Sequence, residues 1–132
     1  LGTPRTAAYS ILDKYQIALT ILGFQKMDEG SSPFQDVKAL IQLRNSLIHF
    51  EPEWQSCLGI GTDVTAKKFI RSIQGKFRAS KFFENSGNPY FPHKCLGHGC
   101  AKWAISKSKE FTDIFFNAID LAVPYNHIKI DC

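Results

Sequence analysis

Residues 99–123 read GCAKWAISKSKEFTDIFFNAIDLAV, and the spacing of the apolar residues in this stretch decides the fold. Cys100, Trp103, Ala104, Phe111, Ile114, Phe115, Ala118, Leu121 and Ala122 recur at intervals built from threes and fours. A helix stacks such positions on one face, whereas a strand would need strict alternation. The pattern predicts a helix from Gly99 to about Val123, stopped by Pro124.

Upstream, the same periodicity predicts three more helices. Val64 to Phe77 is amphipathic, with Phe69, Ile70, Ile73 and Phe77 inward and a weak last turn at Gly75. Another helix opens on Ser32 as cap with Pro33 at its first position. It ends near His49 or Phe50, because Pro52 disfavours helical geometry at Glu51. The first helix is predicted from Pro4 to about Met27, capped by Thr3. It carries two apolar stripes, one of Ala8, Ile11, Leu12, Tyr15, Leu19 and Leu22, the other of Ile17, Ile21 and Phe24. A helix apolar on two faces is central to a bundle or pressed against a second subunit, which predicts a homodimer.

Residues 28–32 form a turn and 51–62 a loop holding Pro52, Gly59 and Gly61. Residues 79–99 form a long irregular stretch of the kind that packs as a lid. The tail from Tyr125 to Cys132 alternates weakly, as a short strand or an arm would. The expected architecture is all-α, a four-helix bundle with a long loop between helices three and four, in one domain spanning residues 1–132.

Bulk properties narrow the class. With 132 residues the chain fits one domain, and a hydrophobic fraction of 44% argues against disorder. No apolar run approaches a membrane span, and no basic segment with an apolar core opens the chain. Four cysteines, Cys57, Cys95, Cys100 and Cys132, are too unevenly placed for a disulfide scaffold. A cytoplasmic protein with free thiols and no membrane partner is expected. The chain opens on Leu1 rather than Met, which leaves room for a partner domain beyond it. The net charge of +4 is mild, but it is concentrated: Lys67, Lys68, Arg71, Lys76, Arg78 and Lys81 lie between Asp63 and Glu84 with no acid among them. Such a run is either a solvated helix face or the electrostatic footprint of an RNA backbone.

Arg44-Asn45-Ser46-Leu47-Ile48-His49 is the segment with chemistry in it. At about 100° per residue, Val37, Leu40, Ile41, Leu47 and Ile48 define a core-facing stripe, and Arg44 falls in its middle. An unpaired buried guanidinium costs several kcal/mol, so Arg44 needs an internal carboxylate or a polar cleft. Asn45 and His49 are one turn apart at the edge of that stripe. A His in the last helical turn beside a permanent cation suits RNA cleavage without metal: the imidazole moves protons while Arg steadies phosphate charge. The plainer reading makes Arg44 a structural ion-pair residue and His49 a helix cap.

Arg44-Asn45 followed by His49 resembles the R-x4-H motif, with a polar residue after Arg, of the HEPN (higher eukaryotes and prokaryotes nucleotide-binding) superfamily. The wider stretch from Leu43 to Trp54, and those around Cys95-Leu96 and Cys100-Ala101-Lys102-Trp103-Ala104, are similar to a group of bacterial proteins. The resemblance implies a small α-helical bundle acting as a metal-independent endoribonuclease in a toxin–antitoxin or defence setting. It implies a homodimer with two motifs across one cleft, RNA as partner, a possible antitoxin and no cofactor. Arg44, Asn45 and His49 would be its catalytic residues. Some members carry a Tyr two residues after the His, a site of nucleotide attachment; this chain has Glu51 there. The alternative is a non-catalytic helical RNA-binding or protein-interaction module.

Other features weigh less. His93, Cys95, His98 and Cys100 invite a zinc site, but their one-residue gaps do not match the two-to-four-residue spacing of ligand pairs, and no metal is expected. Trp54 and Trp103 read as packing residues, Lys107 as a snorkelling cation, and Leu58-Gly59-Ile60-Gly61 lacks the context of a phosphate loop.

Overall fold

A computed structural model describes residues 8–49 and 64–128, with backbone alone for 64–67. Among these residues there are four α-helices and no strand: α1 (Ile11–Ile21), α2 (Ser32–Ile48), α3 (Val64–Ile73) and α4 (His98–Ala118). Single 3-10 turns at Lys81–Phe83 and His93–Cys95 break up the connection between α3 and α4. No helix of the described residues is long and apolar enough to cross a membrane.

α2 ends at Ile48 with His49 as its C-cap, as expected, whereas α1, α3 and α4 stop short of their expected ends, and the local chemistry says why. α1 begins at Ile11, where Ser10 and Asp13 form a reciprocal capping box; the expected cap at Thr3 lies outside the described residues. It ends at Ile21 rather than Met27, because Gly23 takes a left-handed φ of 78°. The Phe24 and Gly23 N–H groups then donate back to the Leu19 and Thr20 carbonyls, a Schellman closure. Asp120, at φ 55°, does the same for α4 with bonds from Leu121 and Asp120 to Phe116 and Asn117, so the stop precedes Pro124. Gly75, at φ 82°, separates α3 from Phe77. The tail through Ile128 is a series of turns, not a strand. Tyr125 pins it by donating to the Asp113 carboxylate at 2.8 Å.

α2 is the common axis of two packed regions. Its first half buries Phe34 and Val37 against Leu12 of α1 and Phe111 of α4, with Leu19, Phe115 and Ile119 continuing that contact along α1. Its second half buries Ala39 and Leu43 against Ile73, Cys95 and Trp103, with Phe69, Phe77, Tyr90 and Phe91 around them. The segment between α3 and α4 is therefore part of the core rather than a free loop. Close backbone approach holds it there: a Cβ at Gly99 would sit 2.4 Å from the Arg78 carbonyl oxygen. Between α1 and α2, the buried Gln16 amide donates to the Met27 carbonyl at 2.8 Å and accepts from the Met27 N–H at 2.9 Å.

Candidate functional site

Arg44, Asn45 and His49 all lie exposed at the C-terminal end of α2. This corrects the expectation that Arg44 faces the core. The buried residues of α2 are Phe34, Asp36, Val37, Ala39 and Leu43, while Ile48, placed on the core stripe from sequence, is 56% exposed. Arg44 and Ile48 share the helical phase of Val37 and Ile41, which α1 covers at the other end of α2. The described contacts of α1 with α2 lie around Phe34, Val37 and Ile41, and the same stripe is exposed at Arg44 and Ile48. Periodicity fixes an angle around the axis, not which neighbour lies opposite.

Arg44 and Asn45 meet through their side chains, and His49 joins them through its backbone. Arg44 donates from Nη1 to Asn45 Oδ1 at 2.9 Å, and among the described residues no carboxylate pairs with its guanidinium. His49 is the C-cap of α2, and its backbone N–H donates to the Asn45 carbonyl at 3.0 Å. Asn45 thus fixes one edge of the guanidinium through its side chain and the start of the cap through its backbone. The remaining guanidinium N–H groups and the imidazole face outward, an arrangement that can receive a phosphate and a hydroxyl.

The cations named from sequence divide. Lys68, Arg71, Arg78 and Lys81 are exposed, and the Lys67 side chain lies outside the described residues. Lys76 leaves the set, because it is ion-paired with Asp36, whose side chain is 5% exposed. Lys107 approaches the same carboxylate at 3.4 Å and also binds Glu110 at 2.7 Å, so it is a structural cation rather than a snorkelling one. Ser32 completes the set by donating to Asp36 at 3.0 Å. Burial pushes the Asp36 carboxyl up, but the hydrogen bonds from Lys76 and Ser32 outweigh it and hold the group below the ordinary value of 3.8. Sequence reading passed over Asp36, although its phase matches that of Ala39 and Leu43 and marks it as a buried acid.

The Cys-His run does not gather. Among the described residues no three His, Cys, Asp or Glu side chains sit close enough to hold a metal ion. Cys95 and Cys100 are free thiols. Burial pushes Cys95 up to about 12 and raises Cys100 as well, so both are neutral thiols at pH 7 and weak nucleophiles. His93 packs its ring edge-on to Phe83 at 5.3 Å. A shallow apolar groove of about 360 Å³ runs along α4, lined by Ala104, Ile105, Ser108, Lys109, Thr112 and Tyr125; none of the residues singled out for RNA chemistry lines it.

Arg44 and His49 nevertheless share a half of the molecule with the free cations. Leu43 and Leu47, which bracket Arg44, pack in the same cluster as Phe69, Ile73 and Phe77, the apolar counterparts of the basic face. Trp54, Glu51, Cys57, Cys132 and residues 58–61 lie outside the described residues. Comparison with protein-family models, with curated proteins and with solved structures gives no match for this chain. What the fold defines is an all-α helical bundle with an exposed Arg-Asn-His edge at the end of its central helix.

Proposed function

We propose that this chain is a metal-independent endoribonuclease of HEPN type, cytoplasmic and bacterial, acting as a toxin or defence component whose activity an antitoxin would restrain. The observation that carries the reading is the Arg44–Asn45 side-chain bond on an exposed helix end that His49 caps, with no carboxylate committed to the guanidinium among the described residues. In the proposed reaction an imidazole takes the proton of a 2′-hydroxyl, and the 2′-oxygen attacks phosphorus. The P–O5′ bond breaks, and the departing oxygen takes a proton from a second imidazole. Arg44 offsets the charge that builds on the phosphate oxygens. One imidazole cannot give and take at once, so the site needs two copies of the edge across a dimer. The exposure of all three residues in a single chain is what such a shared site requires.

A second reading, a non-catalytic RNA-binding module, is favoured by one specific observation. The groove described along α4 is lined by neither Arg44 nor His49. RNA cleavage in EDTA by wild type, Arg44→Ala and His49→Ala separates the two. Loss in both variants supports catalysis; equal activity in all three removes it. Salt-sensitive RNA binding that survives His49→Ala without any cleavage leaves the binding module.

A further inference from the structure

Phe82 is 93% exposed, the most open of the large apolar side chains among the described residues. Leaving such a ring in water forgoes the gain that burying it would bring. The backbone beneath it is well anchored. Ser80, itself buried, donates its N–H to the Lys94 carbonyl at 3.0 Å, and Phe83 N–H returns to the Ser80 carbonyl at 3.0 Å. Ser86 closes the other side through its hydroxyl on the Phe83 carbonyl at 2.9 Å. Phe83 turns inward against His93, so Phe82 is left standing outward on a fixed turn.

Its surroundings are cationic. Lys81 precedes it, Arg78 is exposed three residues before that, and Lys94 is tied to the same turn by the Ser80 bond. Glu84 is the acid that bounds the run. An exposed aromatic on an anchored turn with cations beside it is the pairing that holds unpaired nucleotides: charges track the phosphates while the ring stacks on a base. A duplex offers no such face, because its bases are already stacked on each other.

We propose that Phe82 is a base-stacking platform and that the RNA taken up by the Arg78–Lys81 face is single-stranded. This rests on the RNA reading above, not on its catalytic step. The test is fluorescence anisotropy in EDTA, in a His49→Ala background that prevents cleavage. The probes are a labelled oligouridylate of about 12 nucleotides, its abasic counterpart and a hairpin duplex. Phe82→Ala is expected to weaken oligouridylate binding roughly 5- to 150-fold, to leave abasic and duplex binding unchanged, and to keep the salt slope. Phe82→Trp should bind like the parent, whereas Phe82→Leu, apolar but without a π face, should behave like Phe82→Ala. Arg78→Ala with Lys81→Ala should lower the salt slope instead.

Equal oligouridylate binding by Phe82→Ala and the parent overturns the proposal and leaves Phe82 to a protein pocket. Parallel loss on the abasic strand overturns it too, since the ring would then act through the turn. If the parent binds no RNA, the RNA reading falls and takes this one with it, an outcome distinct from both.

Discussion

Lys76, just past the end of α3, reaches across to Asp36 in the second turn of α2 and forms an ion pair with it. With Lys107 of α4 on the other carboxylate oxygen and Ser32 donating from the preceding turn, one buried acid ties three helical elements together. Removing the acid leaves the Lys76 ammonium without its partner and Lys107 with Glu110 alone. Asp36→Ala is expected to lower the unfolding free energy by about 2 kcal/mol, the scale of hydrogen bonds to charged groups. Urea unfolding reads it, and a midpoint equal to wild type would show that the network has no net worth.

The same group gives a pH dependence with a definite sign. Burial raises the Asp36 carboxyl, the bonds from Lys76 and Ser32 lower it further, and its folded value lies below 3.8. A depressed folded value means that its stabilisation is fully present above the unfolded value and is lost as pH falls through the folded one. The stability gap between wild type and Asp36→Asn should stay constant from neutrality down to about pH 4 and close below it. A gap that widens in acid would reverse the assignment.

Gly99 is expected to tolerate no side chain. A Cβ there would meet the Arg78 carbonyl oxygen at 2.4 Å, backbone against backbone, whereas one at Gly87 meets nothing within 4 Å. Gly99→Ala should cost about 1–3 kcal/mol through a forced backbone shift, and Gly87→Ala a few tenths at most. Thermal melts of the two variants side by side check this; equal melting temperatures would contradict the close approach.

Arg44 and His49 are exposed, so Arg44→Ala and His49→Ala should unfold within about 0.5 kcal/mol of wild type. Their effect belongs on cleavage, where loss of a general acid–base is worth about 10²–10⁴-fold. Urea curves measured beside RNA cleavage in EDTA separate the two quantities. A large stability loss with unchanged cleavage would make both residues structural.

α1 carries Ile21 at 79% exposure with Ile17 at 38% one turn earlier, and Phe24, just past its end, is 41% exposed. This is the second apolar stripe of the sequence, and no described element packs on it closely enough to bury it. If it is the dimer face, wild type should show a dimeric mass by light scattering at micromolar concentration and Ile21→Lys a monomeric one. A monomeric wild type under those conditions removes the dimer and the shared cleft.

The helices themselves were legible because they are local. Three-four spacing in residues 99–123 needs no partner to be read, and Ser32 with Pro33 placed the start of α2 one residue late, the N-cap being Ser31 and Ser32 the first helical residue. Helix ends were less legible: Gly23 and Asp120 stop α1 and α4 by adopting left-handed backbone, and Asp is a rarer choice than Gly for that position. The same spacing put Arg44 and Ile48 on a buried stripe, and it could not show that both stand exposed at the end of α2.

By itself, the order of residues determined the helical class, the four helices of the described residues and the presence of Arg44, Asn45 and His49 at one helix end. Tertiary structure decided which of the cations are free and which are spent inside, since Lys76 and Lys81 look alike until Asp36 is placed opposite one of them. It also decided that Phe82 stands in water while Phe83 turns in. Helical phase depends on backbone geometry alone, but burial and pairing depend on what another part of the chain brings alongside.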